Sequence, residues 1–234
     1  MKKALSVAFL ALFALILSTT AFATTLEVQG DATIYLQADY ATLSVGVQSV
    51  NASLQIAQQE NATKMNALID ALLQAGISKE DIQTNDFNVY QTGDYNPYSS
   101  KNTEESFYRI SNMLNVTLRD LDTVGETLDL AMQSGANVMN GLSFSSTQQQ
   151  SAYDRALVKA VENANEKATI LASAVGKIPG VIVNMQMSHS YGGGMKNYSM
   201  ADGVAMEASP IVAGDVSVNA GVTIVYELAD PLAE

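Results

Sequence analysis

Cysteine is absent from this 234-residue sequence, and histidine occurs only once. Without cysteine there can be no disulfides, thiol catalysis, Cys-ligated zinc, iron–sulfur clusters or lipidated cysteine of a lipoprotein. A single histidine excludes a metal site built from several histidines. Basic residues are also few, with 12 Lys and Arg against 24 Asp and Glu, for a net charge of -12. Because such a chain repels phosphates, we predict that it does not bind nucleic acid.

The first 23 residues have the pattern of a secretory signal peptide. Lys2 and Lys3 precede an apolar run, Ala4–Leu17, and Ala21-Phe22-Ala23 places small residues around a bulky one. The run is shorter than the ~20 residues that span a bilayer, so cleavage after Ala23 is favoured over a retained anchor. No later stretch is long and apolar enough to cross a membrane. We therefore expect a periplasmic or secreted protein whose residues 24–234 form one domain.

Hydrophobic spacing predicts seven strands and three helices. Apolar residues at every second position indicate half-buried strands, and spacings of three or four indicate helices. The predicted strands cover Leu26–Leu36, Ala41–Val47, Ile82–Tyr90, Tyr108–Leu118, Val138–Phe144, Val181–His189 and Val216–Leu228. The first two predicted helices follow Ser53 and Asp120 or Asp122, and the third begins at about Gln148; they end at Gly76, Gly135 and Gly176. The short link at Ala38-Asp39 suggests that the first two strands form an antiparallel pair.

This order of elements predicts an α+β fold with a mixed, largely antiparallel sheet. The segment from Ala41 to Phe144 runs strand–helix–strand–strand–helix–strand, which is the ferredoxin-like βαββαβ arrangement. A third helix and extra strands would surround this core. One sheet with its helices on one face would bury the observed apolar stripes.

Alanine recurs at every fourth position of the third predicted helix, at Ala156, Ala160, Ala164, Ala168 and Ala172. Residues four apart lie on one side of a helix, so these alanines form a narrow ridge. Small side chains let another element approach closely. The surface that packs against this ridge is either the helix's own sheet or a second subunit.

Five groups of short fragments occur in order along the chain. They are Val28-Gln29-Gly30 with Asp39-Tyr40-Ala41; Gly76-Ile77 with Asp81-Ile82-Gln83-Thr84; Tyr108-Arg109-Ile110-Ser111-Asn112 with Val116-Thr117-Leu118-Arg119-Asp120-Leu121-Asp122; Lys167-Ala168 with Leu171-Ala172 and Gly176; and Pro210-Ile211 with Gly214 and Tyr226-Glu227-Leu228. Together these fragments resemble the SIMPL-domain family, which includes periplasmic immunogenic and stress-associated proteins of bacteria. Ala38 departs from the family pattern, which usually has proline before the aspartate. The resemblance implies an exported protein that often assembles into large rings or channel-like oligomers, with some members linked to oxidative stress. It supplies no catalytic residues.

One strand carries a candidate metal site. Met185, Met187 and His189 lie at i, i+2 and i+4 on a predicted strand, so their side chains share one face. Thioether and imidazole ligands suit Cu(I), and Met195, Met200 or Met206 in the following loop could complete the site. Alternatively, Met185 and Met187 continue a buried face begun by Val181 and Val183, and the loop methionines fill gaps or contact a neighbour. A related hypothesis is that these thioethers are oxidised reversibly as sacrificial groups.

No catalytic residue and no resident cofactor are predicted. Ser188 and Ser190 flank His189, but adjacent residues on a strand point to opposite faces. The Gly-x-Ser-x-Gly elbow of hydrolases is absent. Carboxylates such as Asp81 and Asp86 fall mostly in polar turns or loops, where solvated surface charge is the expected role.

The leading hypothesis is a non-catalytic exported protein that self-assembles and protects the cell envelope, including under oxidative stress. Sheet-edge strands, the alanine ridge and a tyrosine-bearing hairpin are the expected assembly surfaces. The tyrosines of that hairpin and its flanks are Tyr90, Tyr95, Tyr98 and Tyr108. The alternative is a binding module for Cu(I) or a small ligand, and a hydrolase is the third possibility.

Overall fold

A computed structural model describes residues 24–93, 106–190 and 211–231. The predicted signal peptide lies outside these residues, as do most of the predicted hairpin loop and the methionine-rich connection. In the described part of the chain, no helix is both long and apolar enough to cross a membrane.

The described residues form seven strands and three α-helices in the predicted order. The strands are β1 (Thr25–Gln37), β2 (Tyr40–Asn51), β3 (Ile82–Gly93), β4 (Ser106–Leu118), β5 (Val138–Ser145), β6 (Ile178–Ser190) and β7 (Asp215–Ala229). The helices are α1 (Leu54–Gln74), α2 (Val124–Gln133) and α3 (Gln149–Ala174). Gly76, with φ of 91°, and Gly176, with φ of 72°, follow α1 and α3 in the left-handed conformation that glycine adopts without a steric penalty. The alternation and helical spacing in the sequence therefore identified every described strand and α-helix, but not the two short 3-10 helices at Lys79–Asp81 and Leu121–Thr123.

The strands lie in two antiparallel sheets, ordered β1-β7-β6 and β3-β4-β2-β5. The α+β class is confirmed. In the second sheet β4 lies between β2 and β3, and β2 lies between β4 and β5, which is the predicted ferredoxin-like arrangement. The predicted pairing of β1 with β2 is wrong, since β1 pairs with β7, and the single predicted sheet is divided in two. Period-two spacing identifies the buried face of a strand but not its neighbour.

Contacts divide the described residues into two compact units. One contains residues 24–32, 157–189 and 220–231, and the other contains residues 33–156 and 211–219. Compact units can belong to one domain, so the single domain over residues 24–234 stays a prediction.

The core of the four-stranded sheet lies between its central strands and the helices α1 and α2. Fully buried side chains there include Leu43, Val45, Leu68, Leu114 and Val116. Asn61 of α1 is also buried, and its amide nitrogen donates to the carbonyl oxygens of Val47 at 2.9 Å and Ile110 at 3.3 Å. A buried amide is tolerated because it is hydrogen-bonded. Asn61 therefore ties α1 to both central strands.

In the other unit, the alanine ridge of α3 packs on its own sheet. Ala160, Ala164 and Ala168 have no exposed surface and contact Val28, Val222, Ile224 and Tyr226. Gly30 of β1 makes this approach possible, because a Cβ there would lie 2.0 Å from the carbonyl oxygen of Ala160. The Tyr226 hydroxyl donates to the Asn165 side chain on the same helix. Of the two partners predicted for the ridge, the helix's own sheet is confirmed for these three alanines.

Candidate functional site

The candidate metal ligands lie on β6, the strand that ends one side of the three-stranded sheet. Met185 and Met187 alternate with Asn184 and Gln186, so the two thioethers share one face of the strand. The backbone of His189 belongs to the same strand, but its side chain lies outside the described residues. Met195, Met200 and Met206 lie in the undescribed connection. Met185 and Met187 are therefore the part of the Cu(I) hypothesis that the structure brings together.

Carboxylate, thiolate and imidazole groups are the other side chains that commonly bind metal ions. In residues 24–93, 106–190 and 211–231, no three of these side chains are grouped so that they could hold a metal ion. Ser188, considered as a nucleophile, has its Oγ beside Gly221 of β7. Within the described residues, these side chains therefore form no metal site in addition to the two thioethers of Met185 and Met187.

The apolar side chains of β6 are exposed to solvent. Their exposed fractions are 66% for Val181, 59% for Val183, 44% for Met185 and 60% for Met187. The alternative prediction, that the two methionines continue a buried face begun by the two valines, is wrong. One helix is about 10 Å wide and neighbouring strands are about 4.8 Å apart, so α3 covers only about two strands. Those two are β1 and β7, whose side chains form the core with α3.

At the opposite edge of the same sheet, two side chains of α3 bind the backbone of β1. The carbonyl oxygen of Thr24 accepts from Leu228 of β7, so Gln29 and Asp31 direct their backbone groups away from β7, by the alternation of a strand. Lys167 donates to the carbonyl oxygen of Gln29 at 2.9 Å and to the Asp31 carboxylate at 3.1 Å. The backbone N–H of Asp31 donates to Asn163 Oδ1 at 3.3 Å. One backbone acceptor and one backbone donor on the outer edge of β1 are thus occupied by side chains of α3.

The four-stranded sheet also has an exposed outer strand. Phe87, Val89 and Tyr90 of β3 are each about half exposed, and the guanidinium carbon of Arg109 lies 6.0 Å from the centre of the Tyr90 ring. The register of β3 against β4 shifts between Thr84 and Asp86, which is a β-bulge. Tyr95 and Tyr98 of the predicted tyrosine hairpin lie outside the described residues.

Asp81 is buried rather than solvated, contrary to the role expected for it. The Nε and an Nη of Arg119 donate to its two carboxylate oxygens at 3.1 and 2.7 Å, and the side chain of Asp81 is 11% exposed. Hydrogen bonding to Asp81 and its charge raise the pKa of the Arg119 guanidinium. The pair borders a cavity of about 570 Å³ lined also by Asp120 and Glu126. Because Arg119 follows Asp81 by 38 residues, no local sequence pattern indicated this pair.

Asp39, in the link between β1 and β2, accepts several hydrogen bonds from Ser146 and Thr147, which lie between β5 and α3. The Thr147 hydroxyl donates at 2.6 Å, the Thr147 N–H at 2.9 Å and the Ser146 hydroxyl at 3.2 Å. These bonds, led by that of the Thr147 hydroxyl, hold the pKa of the Asp39 carboxyl below its ordinary value of 3.8. Elsewhere, burial raises the pKa of the Tyr226 phenol. Both residues act in the described structure as hydrogen-bonding groups.

Comparison with known proteins gives one family and several relatives. The SIMPL family, described as a protein of unknown function (DUF541), matches residues 26–226. The 26 kDa periplasmic immunogenic protein of Brucella melitensis is 28% identical over 214 residues, which cover 87% of this chain and 84% of the relative. The uncharacterized protein YggE of Escherichia coli K12 is 27% identical over 187 residues, which cover 79% and 72%.

Proposed function

This chain belongs to the SIMPL family, and on that premise we propose that it is a non-catalytic exported protein of the periplasm that assembles with copies of itself. The location is supported by the Brucella relatives, which are named periplasmic proteins and match most of the chain. Export would begin with a signal peptide cleaved after Ala23, and residues 24–234 would fold as one domain. N-terminal sequencing of the exported protein tests the cleavage, since a first residue of Met1 would contradict it.

Self-assembly is supported above all by the exposed apolar side chains of β6. Soluble proteins expose single apolar residues freely, but a contiguous exposed group is typical of an interaction surface. Val181, Val183, Met185 and Met187 form such a group on one face of β6, and Ile182 is exposed on its other face. Covering them with another protein surface would remove them from water. The partner we propose is the same chain.

Light scattering after size exclusion of residues 24–234 tests self-assembly directly. We expect a mass of at least two chains at micromolar concentration, falling towards one chain on dilution. A single-chain mass throughout the micromolar range would contradict the proposal.

A protective role under oxidative stress is the further part of this proposal. Each methionine thioether can take one oxygen atom from a hydroperoxide, which leaves as water or an alcohol, and reductases can reverse the resulting sulfoxide. Met185 and Met187 are accessible to such an oxidant. Peroxide treatment followed by mass mapping should modify them and Met195, Met200 and Met206 before buried Met65. Loop methionines that stay unmodified would contradict the protective role.

Cu(I) binding is the second candidate function, favoured by the two accessible thioethers on one face of β6. We propose Met185, Met187 and His189 as the ligands. Competition titration with a Cu(I) chelator tests it, with Met187→Leu and His189→Asn each expected to weaken binding by tenfold or more, a loss of about 1.4 kcal/mol. Met139→Leu is the matched control, since Met139 is exposed to a similar degree on β5. Binding no tighter in the parent than in the His189 variant would contradict the site.

A further inference from the structure

We infer that β6 is the edge through which two copies of this chain pair, with the β6 strands of the two copies antiparallel about a two-fold axis. The inference rests on the proposed self-assembly and specifies its surface. It would join two three-stranded sheets into one continuous sheet of six strands.

The first argument is the difference between the two edges of the three-stranded sheet. An unprotected edge strand presents free backbone N–H and C=O groups that can pair with another chain. On β1 the backbone groups of Gln29 and Asp31 are already bound by Lys167 and Asn163. On β6 every residue from Gly180 to Ser188 is exposed. At the β1 edge α3 therefore binds two backbone groups that a further strand would need, whereas β6 ends the other side of the described sheet with exposed residues.

The second argument is charge. The segment Ile178–Ser190 contains no Lys, Arg, Asp or Glu, although the chain has a net charge of -12. Natural edge strands are commonly protected by charged residues or proline, and the sequence of this strand has no charge and a single proline, Pro179, near its start. Two acidic copies repel each other least where a long surface of each carries no charge. The exposed outer strand β3 fits less well, since it has both Asp86 and a bulge.

The third argument is that β6 complements itself. In a two-fold pair with full overlap, the midpoint Asn184 faces Asn184 of the partner subunit, and Val183 faces Met185 of the partner subunit. Directly opposed residues have Cβ atoms about 5 Å apart, close enough for apolar side chains to cover one another. An amide opposite an amide can both donate and accept hydrogen bonds. A strand of this composition thus fits a second copy of itself without leaving a buried charge.

Charge complementation at Asn184 tests the pairing. Asn184 is exposed and polar, so Asn184→Lys and Asn184→Glu leave the folded chain itself intact, which circular dichroism would verify. Like charges opposed across an interface are strongly unfavourable, so each variant alone should raise the dimer dissociation constant roughly tenfold or more. An equimolar mixture of the two variants should restore association, because Lys then faces Glu.

Gln37→Lys and Gln37→Glu are the matched controls, since Gln37 is an exposed neutral residue of β1. A general charge effect would shift association in opposite directions for Lys and Glu, whereas the β6 pairing predicts that both Asn184 variants weaken it. If the parent assembles and both Asn184 variants assemble equally well, the β6 pairing is wrong while self-assembly stands. If both weaken but the mixture does not recover, the two-fold pairing is wrong. A parent that is monomeric at all concentrations overturns both proposals.

Discussion

Replacing Gly30 with alanine would test the contact between α3 and β1 most directly. The backbone of Gly30 does not have a positive φ, so alanine could adopt it. The obstacle is space, since the added Cβ would lie 2.0 Å from Ala160 O and 2.7 Å from Ala164 Cβ. The main chain of one element would meet the main chain of another, and neither side has a flexible side chain that could move away.

The cost follows from the distance that the helix must retreat. Ordinary contact begins at 3.4 Å, so about 1.4 Å of movement is needed between β1 and α3. A gap of 0.5–1 Å already removes about a quarter to a half of the dispersion energy between facing atoms. Overpacked cores lose about 1–3 kcal/mol, and we expect Gly30→Ala near the upper end. This loss opposes a gain of about 0.4–1 kcal/mol that alanine gives by restricting the unfolded chain.

Urea unfolding followed by far-UV circular dichroism measures the effect, a suitable probe since the chain has no tryptophan. With a slope of roughly 2–3 kcal/mol per molar urea, the midpoint should fall by about 1 M at unchanged slope. Gln29→Ala is the control, because Gln29 is exposed on the same strand and should change stability by less than about 0.5 kcal/mol. A Gly30→Ala variant as stable as the parent would show that the helix and strand do not need their close approach.

Three further predictions concern other contacts. Asn61→Ala should cost about 1–3 kcal/mol of unfolding free energy, measured by urea titration, whereas Gln58→Ala on the exposed side of α1 should cost less than about 0.5 kcal/mol; equal losses would contradict the role of the buried amide. For Asp39, the lowered pKa means that its contribution to stability is complete above the unfolded value of 3.8 and is lost as pH falls through the lower folded value. The thermal stability of Asp39→Asn should therefore be below that of the parent at neutral pH and converge on it in acid, and a constant difference across this range would refute the assignment. The double variant Asn163→Ala with Lys167→Ala should open the β1 edge and increase the assembled mass by light scattering, while an unchanged mass would show that these side chains do not protect the edge.

Local patterns were sufficient to predict the elements and part of the packing. The strand β7 alternates buried and half-buried residues from Val216 to Tyr226, and the buried Val222, Ile224 and Tyr226 pack with the alanines of α3. The row of alanines in α3 indicated that another element packs closely against this helix. Gly30 identifies that element as β1, but the alanine pattern alone does not point to it. The presence of Gly30 in a strand was the signal that could have found it, since glycine there often marks a close backbone approach.

The edges of the sheets could not be predicted in this way. Val181 and Val183 have the same alternation as a buried strand, but their exposure depends on how many strands one helix can cover. The pairing of Arg119 with Asp81 and the binding of Lys167 to β1 join residues 38 and 138 positions apart. Such contacts depend on the three-dimensional arrangement of elements, which periodicity does not contain.

Asn61 has a consequence for the alignment of α1 on its sheet. The buried residues Ala57, Met65, Leu68 and Leu72 recur at intervals of three, four or eight, so an apolar stripe of this kind could slide by one turn and still be covered. Sliding would move the amide by about 5.4 Å and separate it from both carbonyl oxygens. Because a buried amide without hydrogen-bond partners costs free energy, only one position of α1 along its axis is favourable. A lone asparagine fixes the register of a coiled coil in the same way. The single amide of Asn61 thus fixes the position of α1 along its sheet, which the apolar stripe alone would leave undetermined.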